Sequence, residues 1–127
     1  MARPASKGPT ELELEILKIL WHRGPLPVRD VRDALVGFRD LARTSVITIM
    51  NIMVKKKYLS RKKEGASYVY RPQVTKAATT GRMLRDLVDR AFDGSAAAVM
   101  LKLLELSELD EAETRKIRAF LDRQARG

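Results

Sequence analysis

The stretch from Arg43 to Arg71 constrains the fold most, because it reads first as a helix with two distinct faces and then as a basic hairpin. At about 100° per residue, with Val46 as origin, Met50, Met53, Val54 and Ile49 gather within about 80° and form one apolar face. Thr44, Thr48, Asn51 and Lys55 fall on the opposite side, between about 140° and 200°. A solvent-facing helix ordinarily carries Glu and Lys there. Hydroxyls and an amide instead suit base edges in a DNA major groove, with threonine methyls available for thymine. Two basic clusters follow, Lys55-Lys56-Lys57 and Arg61-Lys62-Lys63. After them come a turn at Glu64-Gly65-Ala66-Ser67 and the strand Tyr68-Val69-Tyr70-Arg71, whose partner is Leu59-Ser60-Arg61-Lys62. Pro72 closes the hairpin, since proline cannot extend a central strand. A helix followed by a basic hairpin is the outline of a winged helix-turn-helix.

Charge sharpens the outline. The formal net charge is +9 at pH 7. Residues 1–76 hold 16 Lys/Arg against 7 Asp/Glu, whereas residues 77–127 hold 9 of each. The whole positive excess therefore lies in the first part, which points to a polyanion partner there and a different task for the remainder. The apolar share of 45% supports a packed core. No apolar run approaches the ~18–20 residues that span a bilayer. Residues 1–8 lack the apolar centre of a secretory signal. Cysteine is absent, so disulfides, thiolate metal sites and cysteine nucleophiles are excluded. A cytoplasmic protein fits these features.

Upstream, Thr10 and Glu13 have capping-box spacing. Leu12, Ile16, Ile19 and Leu20 then stripe a first helix that runs to about Trp21, and Gly24-Pro25 stops it. Val28 to Val36 reads as a short second helix with Val28, Val31 and Leu35 inward, and the Arg43 helix is the third. Trp21 continues the first stripe into the core. His22, the only histidine, makes neither a zinc site nor a catalytic pair. Downstream the pattern is helical. Met83, Leu84, Leu87 and Val88 stripe a fourth helix starting near Thr75. Val99, Met100, Leu103 and Leu104 stripe a fifth, and Ile117, Phe120 and Leu121 a sixth that opens with Asp110 and Glu113 at capping-box spacing. Short amphipathic helices cannot easily bury such stripes alone. A second copy of the chain is the simplest cover, so these residues are the expected dimerisation surface. The expected organisation is a flexible tail over 1–9, a winged-helix DNA-binding domain over 10–74 and a helical dimerisation domain over 75–127. The fold class is mainly α with a small β-hairpin wing.

With those segments in view, the chain resembles the penicillinase-repressor family, the BlaI/MecI type of bacterial transcriptional regulator. The resemblance rests on Thr10 to Trp21, Pro25 to Val31, Thr44 to Thr48 and Glu64 to Pro72, and is strongest through residue 76. It implies a dimeric repressor that binds a palindromic operator in double-stranded DNA and blocks transcription, with no enzymatic activity and no cofactor. In the antibiotic-resistance branch it further implies a membrane sensor-protease as partner. Three departures stand out. Ile52 lies at the edge of the polar face, where the family usually has arginine. Lys57 stands where glycine usually follows the third helix, which predicts a helix ending without a left-handed cap. The Asn-Phe pair cut in the resistance repressors is Lys102-Leu103 here, so cleavage of that specificity is not expected.

The expected base-edge contacts are Thr44, Ser45, Thr48 and Asn51, and the expected phosphate contacts are Arg43, Lys55, Lys56, Arg61, Lys62 and Lys63. Ser67 and Tyr68 in the wing are also within the expected footprint, while Tyr70 is expected to pack inward. A basic RNA-binding or architectural protein is the rival reading. It would call for aromatics placed to stack on bases, and the aromatic share is only 6%. Neither a paired-acid site, a glycine-rich phosphate loop nor a small-molecule site is evident in the sequence.

Overall fold

The computed structural model describes residues 8–126. Two compact units divide between Leu84 and Arg85, within a helix that the sequence alone assigns whole to the second domain. Of the expected tail, residues 1–7 lie outside the described residues, and Gly8 and Pro9 are half-buried.

The first unit begins with α1 (Glu11–Arg23), two residues longer than its stripe predicts. Its capping box is formed as expected: Glu13 N–H donates to Thr10 Oγ1 at 3.2 Å, and Thr10 N–H donates to Glu13 Oε1 at 2.8 Å. Gly24 ends the helix at φ +86°, a conformation that costs glycine little. Next comes β1 (Leu26–Pro27), which the sequence did not announce: two residues are too few to show alternation. α2 (Val28–Leu35) starts directly after Pro27. α3 (Arg43–Lys55) is the helix expected from its two faces, and Val46, Met50 and Met53 are fully buried on the apolar one. Burying each such side chain contributes about 1.5–3 kcal/mol relative to exposure.

α3 does end in a left-handed cap, contrary to expectation, and a lysine makes it. Lys57 adopts φ +69°. Its N–H donates to Val54 O at 3.0 Å and the Tyr58 N–H donates to Met53 O at 2.9 Å, the paired bonds of a Schellman motif. Those two backbone bonds help offset the Cβ penalty of about 1–2 kcal/mol that a non-glycine residue meets there.

β2 (Leu59–Glu64) and β3 (Ser67–Pro72) pair antiparallel from Leu59↔Pro72 to Glu64↔Ser67. Each is longer than the sequence suggests, and the turn shrinks to Gly65-Ala66. Gly65 at φ +62° is the first central residue of this two-residue connection, where a positive φ matches the twist of the strands. The sheet order is β1-β3-β2, so β3 is central. The core joins Ile16, Leu17 and Leu20 of α1, Val31 and Leu35 of α2, the α3 face, Leu59 and Tyr70. Trp21 packs on its margin and donates from Nε1 to Val74 O at 2.9 Å.

α4 (Lys76–Ala91) is capped by Thr75, whose Oγ1 accepts from Ala78 N–H at 3.1 Å. The second unit holds α5 (Ala96–Leu106), capped by Ser95, and α6 (Glu111–Arg126), whose expected Asp110–Glu113 capping box is formed with bonds of 2.7 and 3.2 Å. Val99 is its one buried residue among those described. No helix among the described residues is long and apolar enough to cross a membrane.

Candidate nucleic-acid interface

One face of α3 is left uncovered by the core. Arg43, Thr44, Ser45, Thr48, Ile52 and Lys55 are exposed along it. Thr48 is exposed, and its Oγ1 donates back to Thr44 O at 2.9 Å, which commits the hydroxyl proton and leaves the oxygen free to accept. Ile52 is 44% exposed in the same stripe, an apolar group among hydroxyls and cations. The hairpin brings Arg61, Ser67 and Tyr68 to the cleft shared with Arg43 and Asn51 of α3; Lys63 lies on the Arg61 face of the sheet and Lys62 on the other, and all five are exposed. Tyr70 is 2% exposed, inward as expected.

Three expected residues are placed differently from the others. Lys56 turns its ammonium away from the α3 face to Glu13 on α1, at 2.9 and 3.2 Å from the two carboxylate oxygens. Glu13 is only 3% exposed, and this pair ties the end of the third helix to the start of the first. Asn51 is half-buried, and its Oδ1 accepts from both Tyr70 OH at 2.9 Å and Arg61 Nη1 at 3.0 Å. The Arg61 guanidinium also lies over the Tyr68 ring, 4.4 Å from its centroid.

Between α2, α3 and the wing runs a cleft of about 270 Å³. Arg29, Arg43 and Arg61 line it together with Ser67 and Tyr68, and none of its lining residues is acidic. Arg29 is the cation that sequence reasoning missed. It sits in the first turn of α2, where no periodicity marks it, and only the fold brings it opposite the wing. Such a cleft suits a phosphodiester: the Arg29 and Arg43 guanidiniums supply charge-assisted donors and the Ser67 hydroxyl a neutral one, while the Arg61 guanidinium is engaged by Asn51 and Tyr68. Among the described residues no group of three or more His, Asp or Glu is placed to hold a metal.

A reading helix exposed along a polar face and flanked by a basic hairpin defines a winged-helix DNA-binding regulator. The family profile described as Penicillinase repressor matches residues 9–123, and the chain belongs to that family. The transcriptional regulator BlaI of Mycobacterium tuberculosis is 30% identical over 105 residues, 81% of this chain and 76% of that protein. The penicillinase repressor of Bacillus licheniformis is 22% identical over 113 residues, 89% of this chain and 88% of its own. Among solved structures, the transcriptional regulator Tm0710 of Thermotoga maritima aligns over 91% of this chain and 73% of its own, at TM-score 0.47 and 17% identity. These two relatives are named as a transcriptional regulator and a repressor, not as enzymes.

Proposed function

We propose that the chain is a cytoplasmic homodimeric repressor that binds a palindromic operator and blocks transcription by covering a promoter. The observation that carries this is the junction of a short-chained polar face on α3 with a hairpin bearing Arg61, Lys62 and Lys63, in the part of the chain that holds all the excess positive charge. In this reading Thr44, Ser45, Thr48 and the amide nitrogen of Asn51 meet base edges in the major groove. Arg29, Arg43, Lys55, Lys62, Lys63 and Ser67 meet backbone phosphates, which fix register and supply salt-dependent affinity.

The dimer is supported by what the second unit leaves uncovered. Leu103, Leu104, Phe120 and Leu121 are each 46–53% exposed, and Met100 and Ile117 are also exposed. In α4, Leu84 and Leu87 are about half exposed, while Met83 and Val88 are half-buried. Exposed apolar stripes of this kind mark association sites. Two copies would bury them and place two reading helices on a symmetric site. The Lys102-Leu103 pair lies on α5, so release from DNA would not use a sensor-protease that requires Asn-Phe.

Selection of bound duplexes from a random pool, run beside sedimentation of the free protein, tests the reading. A palindrome and a dimeric mass are expected. A pool without enrichment, or tighter retention of RNA than of duplex DNA in competition, would reject it.

A further inference from the structure

We propose that Arg61 is a positioning residue that locks the wing to the reading helix and fixes which atoms of Asn51 face DNA. It would act through Asn51 rather than as one more phosphate contact. The inference rests on the DNA-reading function proposed above and assigns the source of its selectivity.

Arginine has donors only, so the atom of Asn51 that faces its guanidinium at 3.0 Å must be Oδ1 and not the amide nitrogen. The Tyr70 hydroxyl takes the other lone pair of that oxygen at 2.9 Å, and Tyr70 is held by the core. Both acceptor sites of the amide are then occupied, and only its two N–H donors remain. An asparagine that reads adenine with two prongs needs its oxygen as well as its nitrogen. Asn51 here can only donate, so it suits an acceptor such as guanine O6, thymine O4 or a purine N7.

The other end of the lock is the wing. Arg61 pairs across the sheet with Tyr70 and Lys63 with Tyr68, which puts Arg61 diagonal to Tyr68 on one face. The guanidinium lies 4.4 Å from the Tyr68 ring centroid while it holds Asn51. One planar cation thus bridges α3 and both strands. A lysine would keep the charge but could not stack and donate in this fixed fork.

The test uses the full chain, the duplex that the wild type enriches from a random pool, and an unrelated duplex of equal length. Arg61→Lys is expected to lose about tenfold in affinity for the enriched duplex, one base contact's worth. Its affinity for the unrelated duplex and its salt dependence should stay as in wild type. Tyr70→Phe, which keeps the ring in the core, is expected to lose roughly threefold on the enriched duplex alone. In the free protein, hydrogen exchange at wing amides should be faster in Arg61→Lys. Arg61→Lys binding both duplexes as wild type does, with unchanged exchange, would overturn the proposal. So would Arg61→Ala weakening both duplexes equally and lowering the salt slope by about one, the mark of a plain phosphate contact. A wild type that enriches no sequence rejects the function itself, an outcome distinct from either of these.

Discussion

The two units bury their apolar residues in opposite ways. In the first, α1, α2, α3 and the sheet close on one core, and its ten largest buried side chains are all under 2% exposed or nearly so, from Ile16 to Tyr70. In the second, α5 and α6 leave Leu101, Leu103, Leu104, Leu106, Phe120 and Leu121 open, with Val99 alone covered among the described residues. Side-chain caps do not account for the difference, since α2 and α3 of the closed unit lack them while α5 and α6 of the open unit have them. The first covers the stripes of α1, α2 and α3 within itself, and the second leaves those of α5 and α6 uncovered. A helix stripe is thus a statement that something covers it, and only the rest of the chain decides whether that cover is internal.

The sharpest way to break the comparison is to charge the open stripe. Leu103→Asp with Phe120→Asp should convert a dimer to a monomer, read by sedimentation. Operator affinity should then fall by about 10²–10⁴-fold, because the second half-site no longer binds intramolecularly. A monomeric wild type, or a double variant that stays dimeric, would remove the contrast. The next largest effect belongs to the closed core. Leu17→Ala should destabilise the first unit by about 2–5 kcal/mol in thermal or denaturant unfolding. That loss should not depend on protein concentration, whereas losses from stripe substitutions should, since association contributes to stability by mass action.

The uncovered face of α3 belongs to the closed unit and so makes a third case: exposed, yet polar. Thr48→Ala should weaken the enriched duplex by about 1–3 kcal/mol and leave unrelated duplexes alone. Lys62→Ala should weaken all duplexes alike and lower the salt slope by about one. If the two variants behaved alike, the division between base-reading helix and phosphate-binding wing would fail.

What could be read in advance follows the range of the interactions. Helix 3, the hairpin, both capping boxes and the inward Tyr70 were legible because each depends on neighbours within a few positions or on one clear period. β1 was not, for two residues carry no alternation. Lys56 reads as one cation in a basic run, but its carboxylate partner lies 43 positions away on α1. Asn51 reads as a free amide on a polar face until β2 and β3 bring Arg61 and Tyr70 onto its oxygen. The sequence thus marks α3 and the hairpin as neighbours but is silent about which of their polar atoms are already engaged.

The smallest effect is expected where α3 gives way to β2. The charge pattern makes Lys57 a third cation of a run, and the backbone makes it a left-handed cap at φ +69°. If the backbone role dominates, Lys57→Gly removes the Cβ clash and should raise stability by about 0.5–1 kcal/mol, net of the entropy that glycine adds to the unfolded chain. The salt slope of DNA binding should then be unchanged, because no phosphate contact is lost. A slope lower by about one, with no gain in melting temperature, would assign Lys57 to the DNA backbone instead and carry the phosphate-binding surface from Lys55 past the end of the helix.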